Sequence, residues 1–351
     1  MLTRRAALQQ LALVTLGAAA ACSPAAPAGA PTSPPAPAAP TTAAPAARAA
    51  GQKVSATLRL DWVPGPHHVG PLLAAKRGYY AEEGLDLAIQ PGKGSGVTVQ
   101  AVAAGQDLFG FADAGLMAVA ASKGAPLIML LNTTPLGPGG MVTLGPKLTS
   151  PKEVEGKSIG VAAGDASFAA WPAVAEKNGI SPTAYKVVTI EAAAKAPALL
   201  ERKVDLMPGF RFGDYLRVLT QDKTAQFTLY SEWGVNTLGN GYFVTSSTVK
   251  DKGDLTRGFV RATLRGWQDA KADPQAAIGS LMDTFPDTSR EFAELGFPMV
   301  IEHMQSDSTK GKPLGWMAES DWKSTLEVMK SQGLEGDKPA STYYTNDLVP
   351  A

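Results

Sequence analysis

Cysteine occurs once in the 351 residues, at Cys22, and histidine only at His67, His68 and His303. A single cysteine excludes a disulfide framework and a Cys-rich metal site. With no His-Glu-x-x-His pair and no Asp-rich calcium loop, no metal and no cofactor is expected. A basic stripe is missing too. Removing Arg4, Arg5 and Arg48 from the 32 basic residues leaves 29 against 32 acidic ones over 51–351, a net of −3. Nucleic-acid binding needs clustered Lys and Arg to displace counterions, so it is excluded. No run reaches the roughly 20 strongly apolar residues of a membrane span. What is there is a chain 45% hydrophobic and 18% charged, which supports a real core and excludes wholesale disorder.

The first fifty residues read as an address and a tether. Arg4 and Arg5 precede an apolar run, Ala6 to Ala21, and then Cys22. A charged start, a short apolar stretch and small residues describe an export signal over 1–21. Ala19-Ala20-Ala21-Cys22 resembles a lipoprotein cleavage box with Ala in place of Leu, making Cys22 the expected lipidation site; Thr3-Arg4-Arg5 also resembles a twin-arginine start. Residues 22–52 are almost all Ala, Pro, Ser, Thr and Gly, a composition too poor in apolar surface to offset ordering entropy, and are expected to be a disordered leash.

Beyond Gly51, short apolar runs alternate with helical patterns. Strands are expected at 56–60, 85–89, 108–112 and 126–131, with helices over 69–77, 97–104 and 114–123, each closed by a glycine. A second series has strands at 158–162, 185–190, 204–207 and 226–230, with helices over 167–178, 191–203 and 212–221. A strand at 241–245 and helices over 255–271, 274–284, 289–305 and 320–332 follow. The pattern predicts an α/β fold of two domains, each a mostly parallel sheet flanked by helices. Residues 53–138 and 240–351 form the first and 139–239 the second. The chain crosses near Pro135–Met141 and Thr237–Gly241, and the helical tail returns to the first domain. One continuous large sheet is the alternative.

Catalytic signatures fail residue by residue. Gly156-Lys157-Ser158 ends like a phosphate loop, but Pro151 stands where its first Gly is required; Gly92, Gly94 and Gly96 have the wrong spacing for a dinucleotide turn; Ser95 lacks the glycine of a nucleophile elbow. Not an enzyme is therefore the expectation. A polar and aromatic set remains at the carboxyl ends of strands, where α/β sheets bind ligands. It comprises Asp61, Trp62 and His68; Ser95 after Gly94; Asp113; Ser167 and Phe168 within Gly164–Phe168; Phe210; Glu232 and Trp233. Bland roles stay open for them: Trp62 as a core wedge, His68 bonded to backbone, Asp113 as a helix cap, Phe210 and Trp233 as packing. Tyr79, Tyr80, Glu302 and His303 read as structural.

Three stretches carry a family resemblance: Leu58-Arg59-Leu60-Asp61-Trp62-Val63-Pro64 with His68-Val69-Gly70; Arg77-Gly78-Tyr79-Tyr80-Ala81-Glu82-Glu83-Gly84-Leu85-Asp86-Leu87; and Ala101 to Asp113. Glu155 to Val161, Leu199-Leu200 and Val204-Asp205 continue it. The body resembles the SsuA/THI5-like family, which includes binding components of thiamine-precursor importers, riboflavin-binding relatives and fungal pyrimidine synthases. The resemblance implies a type II periplasmic-binding fold that hinges shut on a flat heteroaromatic solute, with Trp62 and His68 in the pocket. With the export signal and Cys22, the expectation is an exported, lipid-anchored monomer, periplasmic or at the outer face of the cytoplasmic membrane, that by the resemblance serves an ABC permease with a separate ATPase. Gly65 stands where family members often have Asn, and the Cys-rich iron motif of the fungal synthases is absent. A sulfonate, taurine or nitrate anion is the second ligand class, with Arg211 as its cation. An exported enzyme or a sensory module on the same fold is the reading of another class.

Overall fold

The structure, a computed structural model, describes residues 53–350; the expected export signal, Cys22 and the tether lie outside them. In chain order the elements are β1 (Val54–Arg59), α1 (Val69–Lys76), α2 (Tyr79–Glu82), β2 (Leu85–Gln90), α3 (Ser95–Ala103), β3 (Phe109–Asp113), α4 (Ala114–Ser122) and β4 (Leu127–Asn132). Then come β5 (Gly139–Leu144), β6 (Ser158–Val161), α5 (Ala166–Ala169), α6 (Trp171–Lys177), β7 (Lys186–Thr189), α7 (Lys195–Leu200), β8 (Leu206–Phe210), α8 (Asp214–Leu219) and β9 (Ala225–Leu229). The chain ends with β10 (Asn240–Thr245), α9 (Ser246–Asp251), α10 (Gly253–Ala272), α11 (Pro274–Thr284), α12 (Arg290–His303) and α13 (Glu319–Met329).

The strands form two sheets, ordered β2-β1-β3-β10-β4 and β7-β6-β8-β5-β9, rather than one continuous sheet. Each defines a lobe. In each sheet four strands run one way, and the strand entered on crossing, β5 or β10, runs antiparallel to both neighbours. The reason is geometric. β4 and β9 end at the edge where the lobes meet, so the next strand must start at that edge and run away from it.

β5 is absent from the sequence expectation, which took Pro135–Met141 for a linker. Gly139 and Gly140 are strand residues because the chain is crowded there. A Cβ on Gly140 would lie 2.3 Å from the Thr228 carbonyl oxygen and 2.6 Å from the Phe227 ring. Glycine therefore marks close strand approach, not a bend. The helix expected over 167–178 is broken into α5 and α6 near Pro172, and α9 was also unforeseen.

The helical tail packs on the first lobe. The buried face of α10 includes Leu255, Phe259, Leu264 and Trp267, and Phe259 stacks on Phe109 with centroids 3.9 Å apart. Tyr80 is buried in the same cluster and hydrogen bonds Thr263 at 2.8 Å. The tail also reaches the second lobe: Phe212 and Leu216 share a core cluster with Val69, Trp267 and Phe297. Among the described residues no helix is long and apolar enough to cross a membrane.

Candidate binding cleft

The first lobe supplies a buried polar knot just after β1. Asp61 Oδ1 lies 2.7 Å from His68 Nε2, and Oδ2 accepts from Asn240 Nδ2 at 2.6 Å. His68 Nδ1 accepts the Gly65 amide at 3.1 Å, which requires the ring hydrogen on Nε2 and makes His68 the donor to Asp61. Burial, with His67 close by, lowers the His68 pKa to about 4, so the ring is neutral. Burial also acts to raise Asp61, but hydrogen bonds from His67 and His68 outweigh it and hold the carboxyl below its usual range. Ligand atoms of Asp61, His67 and His68 lie within 4.8 Å of one another, close enough for a metal. The bonding argues otherwise, since both His68 nitrogens and both Asp61 oxygens are already engaged.

The second lobe supplies a buried ionic knot. Asp165 follows β6 and caps α5: its Oδ1 accepts from the Ser167 amide at 3.0 Å and the Ser167 hydroxyl at 2.6 Å. Its Oδ2 accepts from Lys195 Nζ at 2.5 Å, and Asp214 Oδ2 lies 3.4 Å from the same ammonium. Burial opposes the ammonium, but attraction to Asp165 and Asp214 prevails and raises its pKa. Burial raises Asp214, against the pull of Lys195.

Between the knots lies a small pocket. Its lining includes Asp61, Trp62, His67 and Ser95 from the first lobe and Asp165, Ser167, Phe210 and Asp214 from the second. A second small pocket shares Ala166, Ser167 and Phe210 with it and adds Asp113, Tyr230 and Asn236. Asp113 caps α4 through the Leu116 amide at 2.9 Å, and burial pushes its carboxyl up to about 7. Its bland role as a cap and its place in the cleft therefore coexist. The lobes clasp at one rim, where the Gly96 amide donates to the Gly164 carbonyl at 3.2 Å.

Of the residues singled out in the sequence, Asp61, Trp62, Ser95, Asp113, Ser167 and Phe210 thus come together at the cavity. Four do not line it. His68 is fully buried and stands behind Asp61. Phe168 packs against the second-lobe core. Trp233 is buried there beside Trp171 and Tyr230. Glu232 has 43% of its side chain exposed and pairs with Lys147 at 2.7 Å. Both positions fall in the turn after β9, which folds back onto its own lobe. Arg211 pairs with Glu302 at 3.2 Å and is not in the lining either.

Sequence reasoning passed over His67, Asp165, Lys195, Asp214, Tyr230 and Asn240. Asp165 had a readable signal, an acid two residues before Ser167 at a strand-to-helix junction. Lys195 had none, since a lysine opening an alanine-rich helix normally faces water.

Two sheets joined by two crossings around a cleft define the class: this is the periplasmic-binding-protein fold. Residues 65–277 match the family described as NMT1/THI5 like, and the chain belongs to that family. It is 26% identical over 303 residues to the riboflavin-binding protein RibY of Chloroflexus aurantiacus, covering 84% of this chain and 86% of that one. It is 27% identical over 241 residues to the 4-amino-5-hydroxymethyl-2-methylpyrimidine phosphate synthase of Legionella pneumophila, covering 67% of this chain and 75% of that one. The alkanesulfonate-binding protein SsuA of Xanthomonas axonopodis shares the fold with a TM-score of 0.66 at 13% identity, over 84% of this chain and 99% of that one.

Proposed function

We propose that this chain is an exported solute-binding protein of an ABC importer that captures a flat, uncharged or cationic heteroaromatic, of the aminopyrimidine or flavin kind, between its lobes. The observation that carries the reading is the cleft's lining of carboxylate acceptors and aromatic rings. Asp61, Asp165 and Asp214 line it with the aromatic rings of Trp62 and Phe210, while among the described residues no lysine or arginine does. Carboxylates accept from ring N–H and amino groups, and aromatic walls suit a planar ring. Lys195 is committed to Asp165 and Asp214 and so offers an anion no free charge, and the one cation named for an anion, Arg211, is paired elsewhere.

Capture would proceed by closure about the two crossings, with the Gly96–Gly164 contact made in the closed form. Anchoring through Cys22 would keep the protein beside a permease, which would take the solute inward with a separate ATPase. The names of the riboflavin-binding and pyrimidine-synthase relatives agree with the ring class. The synthase name also supports a second reading, an enzyme on this fold.

Calorimetric titration of the full chain tests both. Saturable binding of hydroxymethylpyrimidine or riboflavin, but not of taurine or nitrate, is expected. Binding of the anions alone would sink the ring class. Recovery of a chemically altered ligand after denaturation would favour the enzyme.

A further inference from the structure

The second compartment is not explained by ring stacking. It shares Ala166, Ser167 and Phe210 with the first pocket, and it holds a feature that the fold itself leaves unused. Tyr230 is 3% exposed, yet its hydroxyl finds no hydrogen-bond partner among the described residues. A buried phenol is ordinarily paired, so this one awaits a group that the protein does not supply. Asp113 lines the same compartment and offers a carboxylate. A hydroxyl is the group that meets both, donating to the carboxylate while accepting from the phenol.

A phosphate would be poorly received there. Helix N-termini are the usual phosphate cradles, but Asp113 already occupies that position on α4 and Asp165 on α5. Neighbouring cations are committed: Lys177 donates to the Gly234 carbonyl at 2.6 Å, and Arg211 pairs with Glu302. We propose that this compartment is a subsite for an uncharged, hydroxyl-bearing arm of the ligand, so that the protein takes a free alcohol in preference to its phosphate ester. The proposal rests on the ring-binding reading above and names which member of a ring family is selected.

The test titrates the full chain at about pH 8, where Asp113 is ionised, with two alcohol–ester pairs: riboflavin and flavin mononucleotide, and hydroxymethylpyrimidine and its phosphate. Lumichrome and 4-amino-2,5-dimethylpyrimidine serve as rings without the hydroxyl arm. At least one alcohol should bind tenfold or more tighter than its ester. Tyr230→Phe keeps the ring packing and should weaken that alcohol roughly three- to tenfold, as expected for one hydrogen bond, while leaving the armless ring unchanged. Asp113→Asn keeps a helix cap and should narrow the alcohol–ester gap.

An ester that binds as tightly as its alcohol overturns the subsite proposal alone. So does a Tyr230→Phe loss that is equal for alcohol and armless ring. Failure of every ring compound to bind overturns the ring reading and the subsite together.

Discussion

Lys195 of the second lobe holds its ammonium 5.1 Å from the centroid of the Trp62 ring of the first lobe. The same ammonium bridges Asp165 and Asp214. One buried cation thus neutralises the floor of one lobe and meets the aromatic wall of the other. Desolvated contacts of this kind are stronger than exposed ones.

Lys195→Met should destabilise the protein by about 3–5 kcal/mol, because it leaves two buried carboxylates without their cation. Urea denaturation measures the loss. Adding Asp214→Asn to Lys195→Met should recover part of it. A single variant as stable as the parent would show that the ion knot is not the support described.

Trp62 is only half-buried, so Trp62→Ala should cost little stability. On the proposed function it should weaken ring binding by about 1–3 kcal/mol, roughly five- to 150-fold. Titration of the variant, with its melting temperature as control, separates the two effects.

Glu232→Gln is the converse case. Its partner is Lys147 on the exposed surface, and such pairs contribute about 0–1 kcal/mol. Ligand affinity should stay within error of the parent.

The clasp is sensitive to size. Gly164 has φ +69° and a Cβ there would lie 3.3 Å from Gly96 Cα; a Cβ on Gly94 would lie 2.9 Å from the Ala163 carbonyl oxygen. Gly164→Val should push the lobes apart at this rim. Small-angle scattering with saturating ligand should then show a larger radius of gyration than for the parent, with weaker binding.

Asp113 gives a pH signature. Its folded-state pKa of about 7 lies above the ordinary carboxyl value, so the folded protein holds the proton more tightly than the unfolded chain. The stability this provides is full below about pH 4 and is lost as pH rises to about 7. His68, lowered to about 4, works oppositely and loses stability as pH falls from about 6.5 to 4. The two slopes oppose each other in the parent. The difference between parent and Asp113→Asn isolates Asp113: the variant should gain roughly 2–4 kcal/mol relative to the parent between pH 4 and 7. A flat difference profile in denaturant melts would refute the assignment.

Most of the strand and helix positions were legible in the sequence because periodicity and glycine stops are local properties of the chain. The strand at 109–113 and the helix at 274–284 show it, and the residues just past strand ends marked where a cleft would form. β5 was hidden because Gly140 answers to Thr228 and Phe227, some ninety residues away in the chain, rather than to a turn. Local reading left Trp233 open between cleft and packing and gave Lys195 no role; the tryptophan sits in its own lobe's core, and the lysine bridges Asp165 and Asp214. Which side chains meet at the cleft is a matter of contacts between distant elements, such as Asn240 reaching Asp61 across 179 residues of sequence. A buried carboxylate or ammonium is stable only beside its partner, and that partner is in place only once each lobe has packed its own strands and helices together. Composition and pattern thus determined the two layered sheets and the general edge; packing alone decided the charge of the cleft, its free tyrosine hydroxyl and the residues that face a ligand.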